Sequence, residues 1–82
     1  SDVAASGMFR VFPNPAVQWV YLRDFFSANG LWFITDELGR TMASGHLKGG
    51  QAALEVSSWP PGVYQVFFEG EQRNFVRLVV MH

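Results

Sequence analysis

Hydrophobic and polar residues alternate with a period of two in several short segments of this 82-residue chain. Within residues 17–23, Val20 and Leu22 fall on one face and Trp19 and Tyr21 on the other. Because successive side chains of a strand point to opposite faces, this alternation predicts β-strands, and no segment has the roughly 3.6-residue period of a helix. Seven strands are predicted, at residues 8–12, 17–23, 31–35, 40–47, 51–56, 63–69 and 74–81.

Turn-forming residues separate these strands about every 8–12 residues. Two prolines flank Asn14, which excludes a helix there and favours an extended, turning backbone. Asp36 is predicted to form a tight turn with its own backbone, and Gly39 is predicted to have a positive φ there. Short strands with this spacing are typical of an all-β fold, an Ig-like antiparallel β-sandwich of two sheets.

The chain is expected to contain one small domain. Residues 1–7 are small or polar and show no apolar period, so they are predicted to be a linker, and residues 8–82 form the domain. Eight Phe, three Trp and two Tyr supply the buried area of a core that has no cysteine and therefore no disulfide. Since the chain begins with Ser1, it is interpreted as a piece of a longer protein.

Composition argues against several classes of function. Without cysteine, only His46 and His82 could contribute to a zinc site, and the dispersed acidic residues do not suggest a calcium site. No serine lies in a Gly-x-Ser-x-Gly turn, and His46 is interpreted as an exposed strand residue. We therefore predict no catalytic residue, metal or cofactor. The net charge of −1 and the scattered basic residues predict no nucleic-acid partner.

The aromatic residues allow two interpretations. Trp19, Tyr21, Phe25 and Phe26 could form an exposed platform for a sugar ring, but packing in the small core is the expected role for most of them. Phe25 and Phe26 are the exception, because two adjacent strand residues cannot both face the core. They are the candidate contact patch.

Three groups of residues, here called boxes, occur in order along the chain. They are Phe-Pro-Asn-Pro at residues 12–15, Thr-Asp-Glu-Leu-Gly-Arg at residues 35–40, and Leu-Glu-Val-Ser-Ser-Trp-Pro-Pro-Gly-Val-Tyr at residues 54–64. A strand with Arg77 and an apolar end follows. Over residues 8–82 this order resembles the C-terminal sorting domain, type A, of the type IX (Por) secretion system. The family-motif residues are Pro13, Asn14, Pro15, Asp36, Gly39, Arg40, Pro60, Gly62, Tyr64 and Arg77.

Some residues depart from the family pattern. Trp59 replaces the usual Leu, Glu55 replaces a common Asp, and Arg77 replaces the usual Lys. Each substitution preserves the general character of its position. The chain ends in Val-Met-His, whereas many members end in a basic or amide residue.

The resemblance implies a non-enzymatic signal that carries an N-terminally attached cargo across the outer membrane. Its implied partners are the secretion translocon, a shuttle protein and a sortase-like cysteine peptidase that removes the domain. The cargo would cross the periplasm of a Gram-negative bacterium to reach the cell surface or the medium. The predicted recognition residues belong to the last strand: Phe75, Val76, Leu78, Val79, Val80, Met81 and His82.

Two further expectations stay open at this point. A terminal edge strand can pair with another chain, so a homodimer through this edge is one of them. The other is a domain that is not cleaved. It would then be an accessory or docking sandwich of a secretion component or of a surface enzyme, with carbohydrate binding as one option.

Overall fold

The computed structural model describes residues 9–24, 30–69 and 73–82, without the side chains of residues 73 and 74. All seven predicted strands are confirmed, with described ends that differ from the prediction by at most two residues. The predicted linker and the candidate patch at Phe25 and Phe26 lie outside the described residues. The strands are β1 (Phe9–Phe12), β2 (Trp19–Asp24), β3 (Gly30–Thr35), β4 (Thr41–Leu47), β5 (Gln51–Glu55), β6 (Gly62–Glu69) and β7 (Arg73–Val80).

The strands form two antiparallel sheets, one in the order β1-β2-β5 and the other in the order β4-β3-β6-β7. The chain changes sheet after β2, after β4 and after β5, so sequence neighbours are divided between the two sheets. This connectivity is that of an Ig-like sandwich and confirms the predicted fold class. It makes β7 an edge strand of the larger sheet.

The core lies between the two sheets and follows the predicted alternation. Val20 and Leu22 of β2 are fully buried, and Trp32 and Ile34 of β3 face them from the other sheet. The rings of Phe9 and Phe68 stack across the core with centroids 4.9 Å apart. Among the described residues, the other buried hydrophobic ones are Val11, Ala16, Leu47, Val56, Tyr64, Val66, Leu78 and Val80.

Two glycines are required by backbone geometry or by close packing. Gly39 has φ = 84°, which confirms the predicted positive φ, a conformation that most side chains disfavour. Gly30 begins β3 where the chain passes very close to β6. A Cβ atom on Gly30 would lie 2.5 Å from the Glu69 carbonyl oxygen and 2.6 Å from a ring carbon of Phe68.

We predict that Gly30→Ala lowers the free energy of unfolding by roughly 1–3 kcal/mol, because one methyl group overpacks this contact between β3 and β6. Urea unfolding followed by tryptophan fluorescence measures the change. Ser44→Ala is the control, since Ser44 lies exposed on β4 of the same sheet and the substitution adds no volume. Equal stability of the Gly30→Ala variant and the parent would contradict the prediction.

Candidate functional site

The three boxes and the end of β7 meet at one end of the sandwich, here called the motif end. It comprises residues 13–16, 36–40, 59–64 and 77–82. Hydrogen bonds join segment 13–16 to segment 77–82. Another hydrogen bond joins segment 59–64 to segment 77–82. The second and third segments line a common groove of about 230 Å³. Residues that are far apart in the sequence therefore form one continuous surface.

Asn14 binds the outer edge of β7 through its side chain. Its Nδ2 donates to the Arg77 carbonyl oxygen at 2.7 Å, and its Oδ1 accepts from the Val79 N–H at 3.0 Å. The carboxamide thus takes the place of a peptide group from a neighbouring strand. The bonds that precede the two prolines, Phe12–Pro13 and Asn14–Pro15, are both cis peptides.

Ala16 continues this pairing with its backbone. Its N–H donates to the Val79 carbonyl oxygen at 2.8 Å, and its carbonyl oxygen accepts from the Met81 N–H at 2.9 Å. The Ala16 side chain is fully buried against the core. Together, Asn14 and Ala16 cover the outer edge of β7 from Arg77 to Met81, so this part of the edge is not available for pairing with another strand.

Asp36 organises the hairpin between β3 and β4. Its Oδ1 accepts from the N–H groups of Leu38 and Arg40, each at 2.9 Å, and its Oδ2 accepts from the Arg40 guanidinium at 2.8 Å. The pKa of Asp36 is held below its usual range, mainly by the hydrogen bond from the Arg40 backbone N–H. The guanidinium of Arg40 lowers this pKa further. The charged carboxylate is therefore the form that fits this turn.

The third box forms the corner between β5 and β6. The Tyr64 hydroxyl donates to the Pro60 carbonyl oxygen, four residues upstream, which is the arrangement of the tyrosine corner in Ig-like sandwiches. Trp59 is half-buried and packs on the Tyr64 ring with centroids 5.1 Å apart, so it covers this end of the core. His82 Nε2 donates to the Trp59 carbonyl oxygen at 2.8 Å. Burial of Tyr64 raises the pKa of its hydroxyl, and the nearby charges of Asp36 and Glu37 raise it further.

The predicted recognition residues differ in what they expose. Leu78 and Val80 are fully buried, so in the folded domain their side chains belong to the core. Phe75 and Met81 are 66% and 52% exposed, and His82 is also exposed. Val76 and Val79 are half-buried. The role of these seven residues in recognition stays a prediction. A partner can touch the exposed ones without unfolding the domain.

The polar residues considered for chemistry are His46, Asp36 and Arg40. His46 lies exposed on β4, and the described residues contain no group of three or more His, Cys, Asp or Glu side chains that could hold a metal ion. Asp36 and Arg40 use their charged groups on each other and on the turn. Over the described ranges, no helix is long and apolar enough to cross a membrane.

Sequence reasoning missed Ala16 and the link from Asn14 to β7. The prolines indicated a turn at this position, but nothing in the local sequence identifies the strand that the Asn14 side chain meets, because 63 residues separate it from Arg77. Ala16 gave no signal, since a single small apolar residue after a proline fits a loop as well as a core.

A family model described as the secretion system C-terminal sorting domain matches residues 10–82. The chain belongs to the type IX secretion C-terminal sorting domain family. No curated protein and no solved structure matches the chain. Membership confirms the predicted resemblance and makes this sandwich a sorting signal for export to the cell surface or the medium.

The sorting domain is thus a signal that has its own fold. Its motif residues shape turns, as Gly39 does, or tie segments together, as Asn14 does. Arg40, just before β4, and Arg77, on β7, are exposed at opposite edges of the larger sheet. A defect in export caused by a motif substitution can therefore arise from folding or from the exposed surface, and experiments must separate the two.

We predict that Asn14→Ala destabilises the sorting domain by about 1–2 kcal/mol, because it removes two hydrogen bonds that each contribute roughly 0.5–1.5 kcal/mol. Hydrogen exchange at the Val79 amide, which loses its acceptor, should accelerate. Gln18→Ala is the control, since it removes an exposed amide from the same connection. Unchanged exchange at Val79 in the Asn14→Ala variant would show that this contact does not hold the edge.

We predict that Asp36→Asn lowers the melting temperature at neutral pH and that the difference from the parent shrinks as the pH falls. The pKa of Asp36 is lower in the folded than in the unfolded chain. Its stabilising charge is therefore fully present above the unfolded value, about 3.9, and is lost as the pH falls through the folded value. Melting curves between neutral pH and strong acid measure this.

Glu37→Gln is the matched control, because it removes a charge from the same turn and none of the hydrogen bonds that Asp36 accepts. A gap between Asp36→Asn and the parent that stays constant into strong acid would contradict a role for the Asp36 charge.

Proposed function

We propose that the folded domain, attached to the C-terminus of a cargo protein, is recognised at its motif end by the outer-membrane translocon and its shuttle protein. The observation that carries this proposal is the convergence of all the family boxes on one end of the sandwich, in a chain that the family model matches over residues 10–82. A signal read by one machinery needs one continuous surface, and the boxes form it only in the folded state.

Exposed groups at and beside this end offer contacts to a partner. Met81 and His82 extend beyond β7, and the Arg40 side chain is 73% exposed at the hairpin. Arg77 is exposed on β7 beside the covered edge. These cationic and apolar groups favour a partner surface with acidic and hydrophobic residues.

We expect a partner to contact the side chains and turns of this surface. Addition of a partner strand to the C-terminal half of β7 fits the surface less well. Asn14 and Ala16 already pair with the backbone there. Phe75 lies nearer the start of β7, before the covered part. On the outer edge there, no backbone partner is seen among the described residues. Pairing with a second copy or another chain at that part of the edge stays a prediction.

The same proposal includes the route of the cargo out of the cell and the removal of the domain afterwards. The cargo enters the periplasm of a Gram-negative bacterium and leaves it through the outer membrane with this domain as its signal. A sortase-like cysteine peptidase then cuts on the N-terminal side of the domain, at residues 1–7. Small and polar residues make that segment suitable for a protease. The alternative is a domain that is retained as a docking module.

We predict that a periplasmic reporter fused at its C-terminus to this chain reaches the cell surface or the medium of a bacterium with a type IX system, while the unfused reporter stays in the periplasm. Cell fractionation and immunoblotting measure the distribution. The mass of the exported reporter separates the two fates, since removal of the domain lowers it by about the 9.2 kDa of the chain. A fusion that remains periplasmic would overturn the proposal.

Charge reversal at the surface tests recognition apart from folding. Arg77→Glu is expected to retain the reporter in the periplasm with little change in melting temperature, because the Arg77 side chain is exposed. Lys48→Glu is the matched control, since Lys48 is also exposed and lies in the turn after β4, at the opposite end of the sandwich. Deletion of the last strand is less informative, because Leu78 and Val80 are part of the core. Equal export of both charge-reversal variants would argue against recognition near Arg77.

A further inference from the structure

The outer edge of β7 is covered only along its C-terminal half. There the Arg77 carbonyl oxygen and both backbone groups of Val79 point outward and are paired. Backbone groups point alternately to the two sides of an antiparallel strand, and the register of β7 with β6 runs without a shift. The N–H and the carbonyl oxygen of Phe75 therefore point outward as well. No described residue pairs with these two groups.

A row of three phenylalanine rings crosses the outer face of the larger sheet and ends at this open edge. Phe33 of β3, Phe67 of β6 and Phe75 of β7 are direct register neighbours. The first two rings stack with centroids 4.8 Å apart, and the last two stack with centroids 6.0 Å apart. On the other side the row ends in the small Ser44 of β4. Phe75 is 66% exposed, so among the described residues its ring has a stacking partner only on the β6 side.

Arg77 adds a positive charge to the same edge. It lies two residues beyond Phe75 on the same face and is exposed. Within the described ranges its guanidinium has no ion pair and no hydrogen bond. Its register partner on β6 is the neutral Gln65. A carboxylate that approaches from the open side of β7 therefore meets a cation without a competing acid beside it.

We propose that the open half of this edge binds an extended strand of a partner protein, antiparallel to β7, with an aromatic residue opposite Phe75 and an acidic residue opposite Arg77. The partner backbone pairs with the outward groups of Phe75. Its ring stacks on the open side of the Phe75 ring and continues the row, and its carboxylate accepts from the Arg77 guanidinium. The pairing ends at Arg77, because Asn14 occupies the carbonyl oxygen there.

The sequence of the partner strand follows from this geometry. An antiparallel strand meets Arg77 before Phe75, and the two positions are two residues apart, so it reads acidic residue, any residue, aromatic residue. A second copy of this chain fits less well. Pairing that stacks Phe75 on Phe75 of a second copy also places each Arg77 opposite Arg73, and like charges directly opposite each other are unfavourable.

The test is a titration of the 82-residue chain with the peptide acetyl-Ser-Thr-Glu-Val-Tyr-Thr-Ser-amide, followed by two-dimensional NMR of the backbone amides. Saturable shifts are expected at Phe75 and Arg77, and hydrogen exchange at the Phe75 N–H should slow because it gains an acceptor. Replacing the peptide Glu by Gln should weaken binding about threefold, the loss of an exposed ion pair. Replacing the peptide Tyr by Ala should weaken it about fivefold, the loss of a ring pair.

Methylation of the peptide backbone separates strand pairing from contact between side chains alone. The N–H of the peptide Tyr donates to the Phe75 carbonyl oxygen, whereas the N–H of the preceding Val points away from β7. N-methylation of the Tyr should abolish binding, and N-methylation of the Val should retain most of it. An equal effect of the two methyl groups would contradict strand addition.

Protein variants locate the site. Phe75→Ala should weaken binding about fivefold and Arg77→Gln about threefold, the latter only with the Glu peptide. Tyr21→Ala, which removes an exposed ring from the other sheet, is the control and should change nothing. Melting curves establish that each variant is folded, and the peptide variants carry the test if one unfolds.

Three results would overturn the proposal. They are the absence of saturable shifts, equal weakening by Tyr21→Ala, and a dimer of the chain alone, seen by sedimentation, whose formation shifts the Phe75 amide. The last result would assign the edge to a second copy. The assay contains no secretion machinery, so its outcome does not depend on whether the motif end is recognised during export.

Discussion

The hydrogen bonds between the Asn14 carboxamide and β7 connect the first turn of the domain to its last strand. They join residues 63 and 65 positions apart, and the backbone of Ala16 adds two more bonds beside them. In this Ig-like sandwich, which has no disulfide, β7 pairs with β6 along its other edge and packs Leu78 and Val80 into the core. The link closes one sheet edge, fixes the entry into β2 and places the C-terminal residues beside Trp59. The contact of His82 with the Trp59 carbonyl oxygen depends on that placement.

Each box contributes to the fold first and to the surface second. Asp36 holds the hairpin through three hydrogen bonds, and Tyr64 holds the corner through its hydroxyl. These contacts are local in sequence, so each turn forms from its own residues. The sandwich brings these turns to one end, the surface that we propose a partner recognises. Under that proposal recognition requires correct folding, because an unfolded chain has the boxes but not the surface.

The two faces of the domain have different chemistry. The motif end is built from turns, a covered strand edge and exposed basic residues such as Arg77. The outer face of the smaller sheet is aromatic, with Phe12 of β1 opposite Tyr21 of β2.

The sequence by itself determined the strands, the division of β2 into two faces, and the turn chemistry of Asp36 and Gly39. These features depend on neighbours within a few residues, through side-chain alternation and backbone sterics. Only the tertiary structure decided which strand the Asn14 side chain meets, that Leu78 and Val80 are core while Phe75 is exposed, and that Phe12 joins Tyr21 beside a pair of arginines. Such contacts depend on strand order and register, which the packing of two whole sheets fixes and which no local pattern contains.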